Sequence, residues 1–203
     1  MVVTAIEAAG RRKLRVYLDG ESAFPVFASE LSSWDLSIQE GQMLDHDQEA
    51  VLLKKAGKLA CAAAMDALVR RDYSRLQLIR LLEKKGFMPL LVSLAIDYVS
   101  SFGYLDDERF TRNAVQARRG MISRRMLEYK LKQQGIEEWI VQRAIEESGW
   151  DDQEGISREL SKRFPDDSLP ERGSREYQRL CQSLIRKGYS YADILRSMLS
   201  KER

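Results

Sequence analysis

The fold of this chain is decided by the stretch SRLQLIRLLEKKGF, residues 74–87, because its pattern occurs twice more along the sequence. The second copy is SRRMLEYKLKQQGI, residues 123–136, and the third is EYQRLCQSLIRKGY, residues 176–189. In each copy a leucine is followed four residues later by another leucine and four residues after that by a glycine. The aligned positions are Leu78, Leu82 and Gly86; Leu127, Leu131 and Gly135; and Leu180, Leu184 and Gly188.

The spacing within each copy predicts a helix, a turn and a second helix. Leucines four residues apart lie on one helix face and are buried together. A glycine just after the last leucine ends a helix in a left-handed conformation. Apolar residues then follow six and ten positions after each glycine, as the start of a helix that packs back on the first. The alternative is an ordinary helical bundle with leucines at these positions by coincidence. The apolar pairs are Val92 and Ile96, Val141 and Ile145, and Ile194 and Met198.

A further helix precedes each copy, so each copy predicts a three-helix unit. Stacking of such units hides apolar surface that one unit leaves exposed. The predicted fold class is therefore mainly α, with tandem three-helix repeats in an elongated curved array. The predicted domains are 46–103, 104–149 and 150–203 for the three repeats, after an N-terminal region at 1–45. The predicted helices are about 46–71, 74–85, 88–101, 107–119, 124–134, 137–148, 152–163, 174–187 and 190–201.

Residues 1–45 differ from the rest of the chain and predict a small β-hairpin region. KLRVYL, residues 13–18, alternates in polarity, and the Asp-Gly pair at 19–20 is a strong hairpin signal. SAFPVFA, residues 22–28, is the expected return strand, and its proline at position 25 places it at a sheet edge. Residues 3–7 are a candidate third strand. WDLSIQEGQML, residues 34–44, is expected to be a loop or short strand.

The composition and the lack of a signal-peptide pattern favour a cytoplasmic protein with no membrane partner. The 203 residues carry 33 basic and 31 acidic side chains, so the net charge of +2 says little by itself. The N-terminus lacks an apolar core of signal-peptide length. The longest apolar stretch, Leu59 to Val69, is interrupted by Asp66 and is too short to span a bilayer. Cys61 and Cys181 stand in apolar helical contexts, as reduced core thiols do.

Two junctions carry adjacent carboxylates: GYLDDERF, residues 103–110, and GWDDQE, residues 149–154. Their similarity favours one structural role, in which an Asp caps the following helix and the next acidic residues face the helix dipole. Tyr104 and Leu105 are expected to pack the incoming chain. A metal or catalytic site using Asp106 and Asp107 is the alternative. The sequence has no GxxxxGK[ST], GxGxxG or HExxH motif, so we expect a protein that is not an enzyme and needs no cofactor.

Local charge is the main functional signal. ARRGMISRR, residues 117–125, has two arginine pairs around Gly120 and predicts a basic loop that projects outward. Such a patch can contact phosphates or an acidic protein surface. The alternative is a solvated helix end, where basic residues are common. Residues 137–167 are acidic by contrast. The candidate partner-binding residues are Arg118, Arg119, Arg124 and Arg125, with Lys130, Lys132, Arg70 and Arg71 behind them.

Taken together, these features resemble the RecX family of bacterial recombinase regulators. The resemblance covers about residues 50–200. Its most specific part runs from 103 to 136, where G-Y-L-D-D-x-x-F is followed by the basic turn and by L-x3-G-I. The third repeat departs most, because it contains the insertion FPDDSLPERG, residues 164–173.

The resemblance implies a row of three-helix repeats without enzymatic activity. It implies a protein, expected to be monomeric, that binds the groove of the RecA filament and inhibits its ATPase and strand exchange. The processes implied are DNA repair, homologous recombination and the SOS response. A general DNA-binding helical repeat protein that acts independently of RecA is the alternative, and single- or double-stranded DNA is a candidate partner in either case.

Overall fold

A computed structural model gives the fold and describes residues 1–34, 36, 38–166 and 168–201. By compactness the chain divides into Met1–Asp106, here called unit 1, and Asp107–Arg203, here called unit 2. Some predicted segments include residues outside the described ones. These residues are Asp35 and Ser37 of the predicted loop, Asp167 of the acidic stretch, and Glu202 and Arg203 of the last repeat.

Unit 1 begins with the predicted β-hairpin and a third strand. The strands are antiparallel in the order β1-β2-β3, so β3 lies at an edge, which accommodates Pro25. Asp19 and Gly20 have φ angles of 50° and 88°, the left-handed conformation that a tight hairpin turn requires. The hairpin, the edge position and the third strand are therefore confirmed. The strands are β1 (Val3–Ala8), β2 (Lys13–Leu18) and β3 (Glu21–Phe27).

Four helices complete the described part of unit 1. A short helix that the sequence did not predict follows the return strand directly, and Ala28 belongs to this helix rather than to the strand. The second helix begins directly after Asp45, whose side chain forms a capping box with Gln48. Alanines along its buried face help it to pack closely, and one apolar core joins it to the sheet and to the next two helices. The helices are α1 (Ala28–Ser32), α2 (His46–Arg70), α3 (Arg75–Lys85) and α4 (Pro89–Ser101).

Unit 2 consists of helices in its described part, and it has two apolar clusters. One cluster is formed around Leu127 and Leu131, and the other around Leu180 and Leu184. The helix positions agree with the prediction to within one or two residues. The helices are α5 (Asp107–Arg118), α6 (Arg124–Gln133), α7 (Glu138–Ser148), α8 (Asp152–Arg163), α9 (Arg175–Arg186) and α10 (Tyr191–Lys201).

The glycines of the three sequence copies have the same local structure. Gly86, Gly135 and Gly188 have φ angles of 96°, 78° and 91°. The amide after each glycine donates a hydrogen bond to the carbonyl of the second leucine, over 3.2, 3.2 and 3.3 Å. All six leucines are buried. The predicted correspondence of these positions is therefore confirmed, whereas the four-part domain division and the elongated array stay predictions.

The acidic junctions begin helices, as predicted. Asp151 caps α8 by accepting a hydrogen bond from the Gln153 amide over 2.8 Å. Asp107 and Glu108 lie in the first turn of α5. Leu105 packs against the core of unit 1. Tyr104 does not pack inward as expected, because 47% of its surface is exposed and its ring stacks on Phe102.

The described residues contain neither a metal-ligating cluster nor a membrane-spanning helix. In this part of the chain, no three His, Cys, Asp or Glu side chains are grouped as a metal site requires. Its helices likewise include none with the length and apolar content needed to cross a bilayer.

Candidate functional site

The turn between α5 and α6, residues 119–123, lies inside unit 2 against α8 and against the connection from α9 to α10. Gly120 is buried, and a Cβ atom placed on Gly155 of α8 would lie only 3.3 Å from the Gly120 Cα. The Ser123 amide donates to the Lys187 carbonyl over 3.0 Å. The prediction of an outward-projecting loop is therefore wrong. Glycines at these positions let the backbones approach, and we call this contact region the joint.

Arg119 is held by intramolecular contacts at the joint. Its guanidinium donates to the Ser148 carbonyl over 2.9 Å and to the Gly149 carbonyl over 3.4 Å. It also forms an ion pair with Glu154, at 3.1 Å between Nη2 and Oε2. The last carbonyls of a helix have no partner within the helix, so Arg119 supplies donors to the end of α7. Its side chain thus connects α5, the end of α7 and the start of α8.

Asp152 also belongs to the joint, which the sequence analysis did not predict. Its Oδ1 accepts hydrogen bonds from the Arg124 amide over 2.8 Å and from the Trp150 indole over 2.9 Å. The Arg124 side chain turns back toward Glu128, with 2.8 Å between Nε and Oε1. The only sequence signal for this role is the second aspartate of GWDDQE, and its partner lies 28 residues away.

The exposed surface of α6, here called the α6 face, carries the basic side chains that stay available; Arg125 and Lys132 lie on one side of the helix, and Lys130 lies on another. Arg125, Lys130 and Lys132 are exposed. Within residues 1–34, 36, 38–166 and 168–201, these three side chains form no hydrogen bond and no ion pair. Tyr129 lies among them with 61% of its surface exposed. This face can therefore give its charge to a partner without first breaking an internal contact.

A shallow groove of about 250 Å³ runs beside this face, between α6 and α7. Arg125, Tyr129 and Lys132 line its α6 side, because residues three and four apart share a helix face. Val141 contributes an apolar wall, and Glu138 lies on the α7 side. The groove combines cations, the carboxylates of Glu128 and Glu138, an aromatic ring and apolar surface, which are features of protein-binding surfaces.

The remaining candidate residues are placed as follows. Arg118 is partly exposed and donates to the Ala114 carbonyl one turn earlier, over 3.4 Å. Arg70 and Arg71 lie at the end of α2 in unit 1. Arg70 pairs with Asp66 at 3.0 Å. The Arg71 guanidinium lies 4.1 Å from the centre of the Tyr73 ring. Six of the eight predicted residues thus lie on or beside α5 and α6 of unit 2.

Comparison with known proteins gives the family. No protein-family model matches the chain. Regulatory protein RecX of Clostridium tetani is 25% identical over 204 residues, which cover 98% of this chain and 93% of that protein. Regulatory protein RecX of Pseudomonas fluorescens is 32% identical over 143 residues, covering 68% of this chain and 87% of the relative. The chain belongs to the RecX family.

Solved RecX structures have the same fold. A crystal structure of regulatory protein RecX matches with a TM-score of 0.58 at 23% identity, over 95% of this chain and 96% of the other. RecX from Lactobacillus salivarius matches with a TM-score of 0.55 at 18% identity, over 72% of this chain and 96% of the other. The sequence-based assignment to the RecX family and the mainly helical fold are both confirmed.

Proposed function

We propose that this RecX-family chain regulates the RecA recombinase by binding the groove of the RecA–DNA filament and inhibiting its ATPase and strand exchange. The family assignment supports a regulatory role, because the curated relatives are named regulatory protein RecX. The chain would act without catalysis of its own, as a cytoplasmic monomer, in DNA repair, homologous recombination and the SOS response.

The observation that carries the proposal is the unpaired basic face of α6. Arg125, Lys130 and Lys132 are exposed, and no described side chain neutralises them. A cluster of one sign attracts phosphates or an acidic protein surface, and it speeds the encounter with either. Tyr129 and the groove toward α7 add apolar contact area. A nucleoprotein filament offers both acidic surface and phosphates.

The eight predicted residues take different roles in this proposal. Arg125, Lys130 and Lys132 contact the filament directly. Arg119, through its ion pair with Glu154, and Arg124, through its backbone amide bonded to Asp152, hold the joint and thereby keep α6 in place. The remaining three supply weaker contacts through their exposed portions; these residues are Arg118, Arg70 and Arg71.

The second candidate is a general DNA-binding protein that acts without RecA. The same α6 face favours it, because phosphate contacts need no specific partner. The two candidates predict different preferences. A general binder holds bare single-stranded DNA as tightly as RecA-coated DNA and loses affinity steeply with added salt. A filament regulator prefers RecA-coated DNA.

The proposal is tested by the triple variant R125A/K130A/K132A in a RecA ATPase assay on single-stranded DNA. We expect the concentration that gives half-inhibition to rise about tenfold or more, because three charge contacts of about 0.5–1 kcal/mol each are lost. The helical circular dichroism signal should not change. A matched control, K162A/R179A/R186A, removes the same charge from exposed positions elsewhere in unit 2 and should inhibit normally.

The variant R119A tests whether Arg119 contacts the filament or instead stabilises the joint. We expect it to lower the stability of unit 2, because the end of α7 and Glu154 lose their partner.

Inhibition that is unchanged in the well-folded triple variant would contradict the assignment of α6 as the contact surface. Equal affinity for bare and RecA-coated DNA would favour the second candidate.

A further inference from the structure

A second basic site lies in unit 1, where β2 and β3 meet α2 and the end of α3. A pocket of about 460 Å³ opens there, which is within the range of small-ligand sites. Apolar surface lines part of it, including Leu59 and Phe87. The basic side chains that line it come from two elements: Lys13 and Arg15 from β2, and Lys84 and Lys85 from α3.

Arg15 is the unusual member of this set. Its guanidinium lies against Gly86, where an added Cβ atom would be 3.0 Å from Nε and 3.2 Å from Nη2. The Nε atom is buried and has no hydrogen-bond partner among the described residues. Burying a donor of a charged group without a partner costs free energy. An anion bound in the pocket beside this guanidinium would offset part of that cost by its charge.

The protein does not neutralise the four cations internally. In the part of the chain that the structure describes, none of them forms an ion pair. Lys13 lies over the Phe27 ring, with 5.2 Å from Nζ to the ring centre. Two carboxylates of the described residues also line the pocket; Asp66 is held by Arg70, so among these residues only Glu30 is left to oppose the cations.

Helix electrostatics explain only part of this charge. The C-terminus of a helix carries about half a negative charge and favours one basic residue nearby. Lys84 and Lys85 lie in the last turn of α3, and either one would satisfy that preference. Arg15 and Lys13 come from a different element and exceed what the helix end requires.

We propose that this pocket binds a phosphate group carried on an apolar or aromatic body, and a nucleotide is the ligand class that fits it. A guanidinium matches the geometry of phosphate oxygens, and lysines add point charges. Leu59 and the exposed Phe27 ring offer surface for the base. The ligand is either a free mononucleotide or one nucleotide unit of a DNA strand, since the phosphate chemistry is the same.

The test is a calorimetric titration of the whole chain with three probes: inorganic phosphate, AMP and a 5′-phosphorylated thymidine hexanucleotide. We expect saturable binding of AMP or the hexanucleotide that is tighter than binding of phosphate, because the apolar walls contribute. R15Q should weaken it about tenfold or more, the loss of a charge-assisted hydrogen bond. The double variant K84Q/K85Q should weaken binding as well. Because it alters only the last turn of α3, it tests the proposal even if R15Q does not fold.

The matched control is K54Q/K58Q, which removes two lysines one turn apart on α2, outside this pocket. It should bind like the unmodified chain. Binding of AMP identifies a free nucleotide as the source, and binding of the hexanucleotide alone identifies a strand. The proposal is overturned if none of the three probes binds saturably, or if K84Q/K85Q and the unmodified chain bind with equal affinity.

Discussion

The two compact units support the same leucine-glycine pattern in different ways. In unit 1 a single apolar core joins the sheet to α2, α3 and α4, so that Phe24 and Leu82 belong to one cluster. In unit 2 the clusters around Leu131 and Leu184 are separate. The joint in unit 2 contains close glycine contacts and hydrogen bonds of charged groups, such as those of Arg119 and Asp152. One repeated pattern therefore does not imply one kind of stabilisation.

The helix that precedes each copy explains much of the difference. α2 has 25 residues, whereas α5 and α8 have 12 each. A helix of 25 residues is about 38 Å long, so α2 can pack on the sheet and on both following helices at once. The shorter helices pack mainly within their own group of three. The contacts between the two groups then depend on polar side chains and on backbone approach.

The largest expected effect of a single change lies in the continuous core of unit 1. L82A should lower the free energy of unfolding by about 3 kcal/mol, because Leu82 is fully buried and its truncation leaves a cavity. Denaturant unfolding measures the loss of stability, and amide hydrogen exchange locates it in the structure. The matched control is L94A, since Leu94 is 47% exposed, and it should cost less than about 1 kcal/mol. Similar losses for both would contradict the description of this core.

Two helical glycines give the sharpest contrast between the units. G155A should destabilise unit 2 by about 2 kcal/mol, because the new Cβ would collide with the Tyr189 hydroxyl and crowd Gly120. G57A in α2 should stabilise unit 1 by up to about 1 kcal/mol, because its Cβ would lie 3.8 Å from Leu94 Cδ1 and alanine favours a helix. Thermal unfolding shows whether each variant is more or less stable than the unmodified chain. A stable G155A protein would show that the joint is looser than described.

The smallest effect at neutral pH is expected at Tyr189, beside the joint. Its hydroxyl is buried without a described hydrogen-bond partner, so Y189F should change stability by less than about 1 kcal/mol at pH 7. Burial, with further contributions from the charges of Asp152 and Glu159, raises the pKa of Tyr189 to about 12.

This pKa predicts a dependence on alkaline pH. The folded state keeps the hydroxyl protonated, whereas the unfolded state releases its proton near pH 10. The contribution of Tyr189 to the unfolding free energy should therefore be undiminished below about pH 10 and fall as pH rises toward 12. Y189F should lose less stability than the unmodified chain between pH 9 and 11.5, as denaturant unfolding would measure. Y191F, which alters an exposed tyrosine, is the control and should behave like the unmodified chain. Parallel loss in all three proteins would contradict the burial of Tyr189.

Most of the fold could be predicted because its signals are local. The Asp-Gly pair at 19–20 sets the hairpin, and glycines such as Gly86 end helices where the sequence places them. The short α1 was missed because ASELS, residues 28–32, is too short for a periodic pattern. Such one-turn helices depend on neighbouring contacts more than on their own residues.

The candidate site could be predicted only in part. A count of charges locates the basic segment, but it does not separate a bound guanidinium from a free one. Arg119 and Glu154 are 35 residues apart, so their pairing needs the three-dimensional structure. Arg125 lies six residues from Arg119 and has no such partner among the described residues. Its role as a filament contact stays a prediction.

The hydrogen bond from the Trp150 indole to Asp152 gives the chain a built-in optical reporter. The other two tryptophans lie elsewhere: Trp34 is buried in unit 1, and Trp139 is 52% exposed on α7. With those two replaced by phenylalanine, tryptophan emission comes from Trp150 alone. Its wavelength and quenching then follow the opening of one specific contact in real time, without any attached dye.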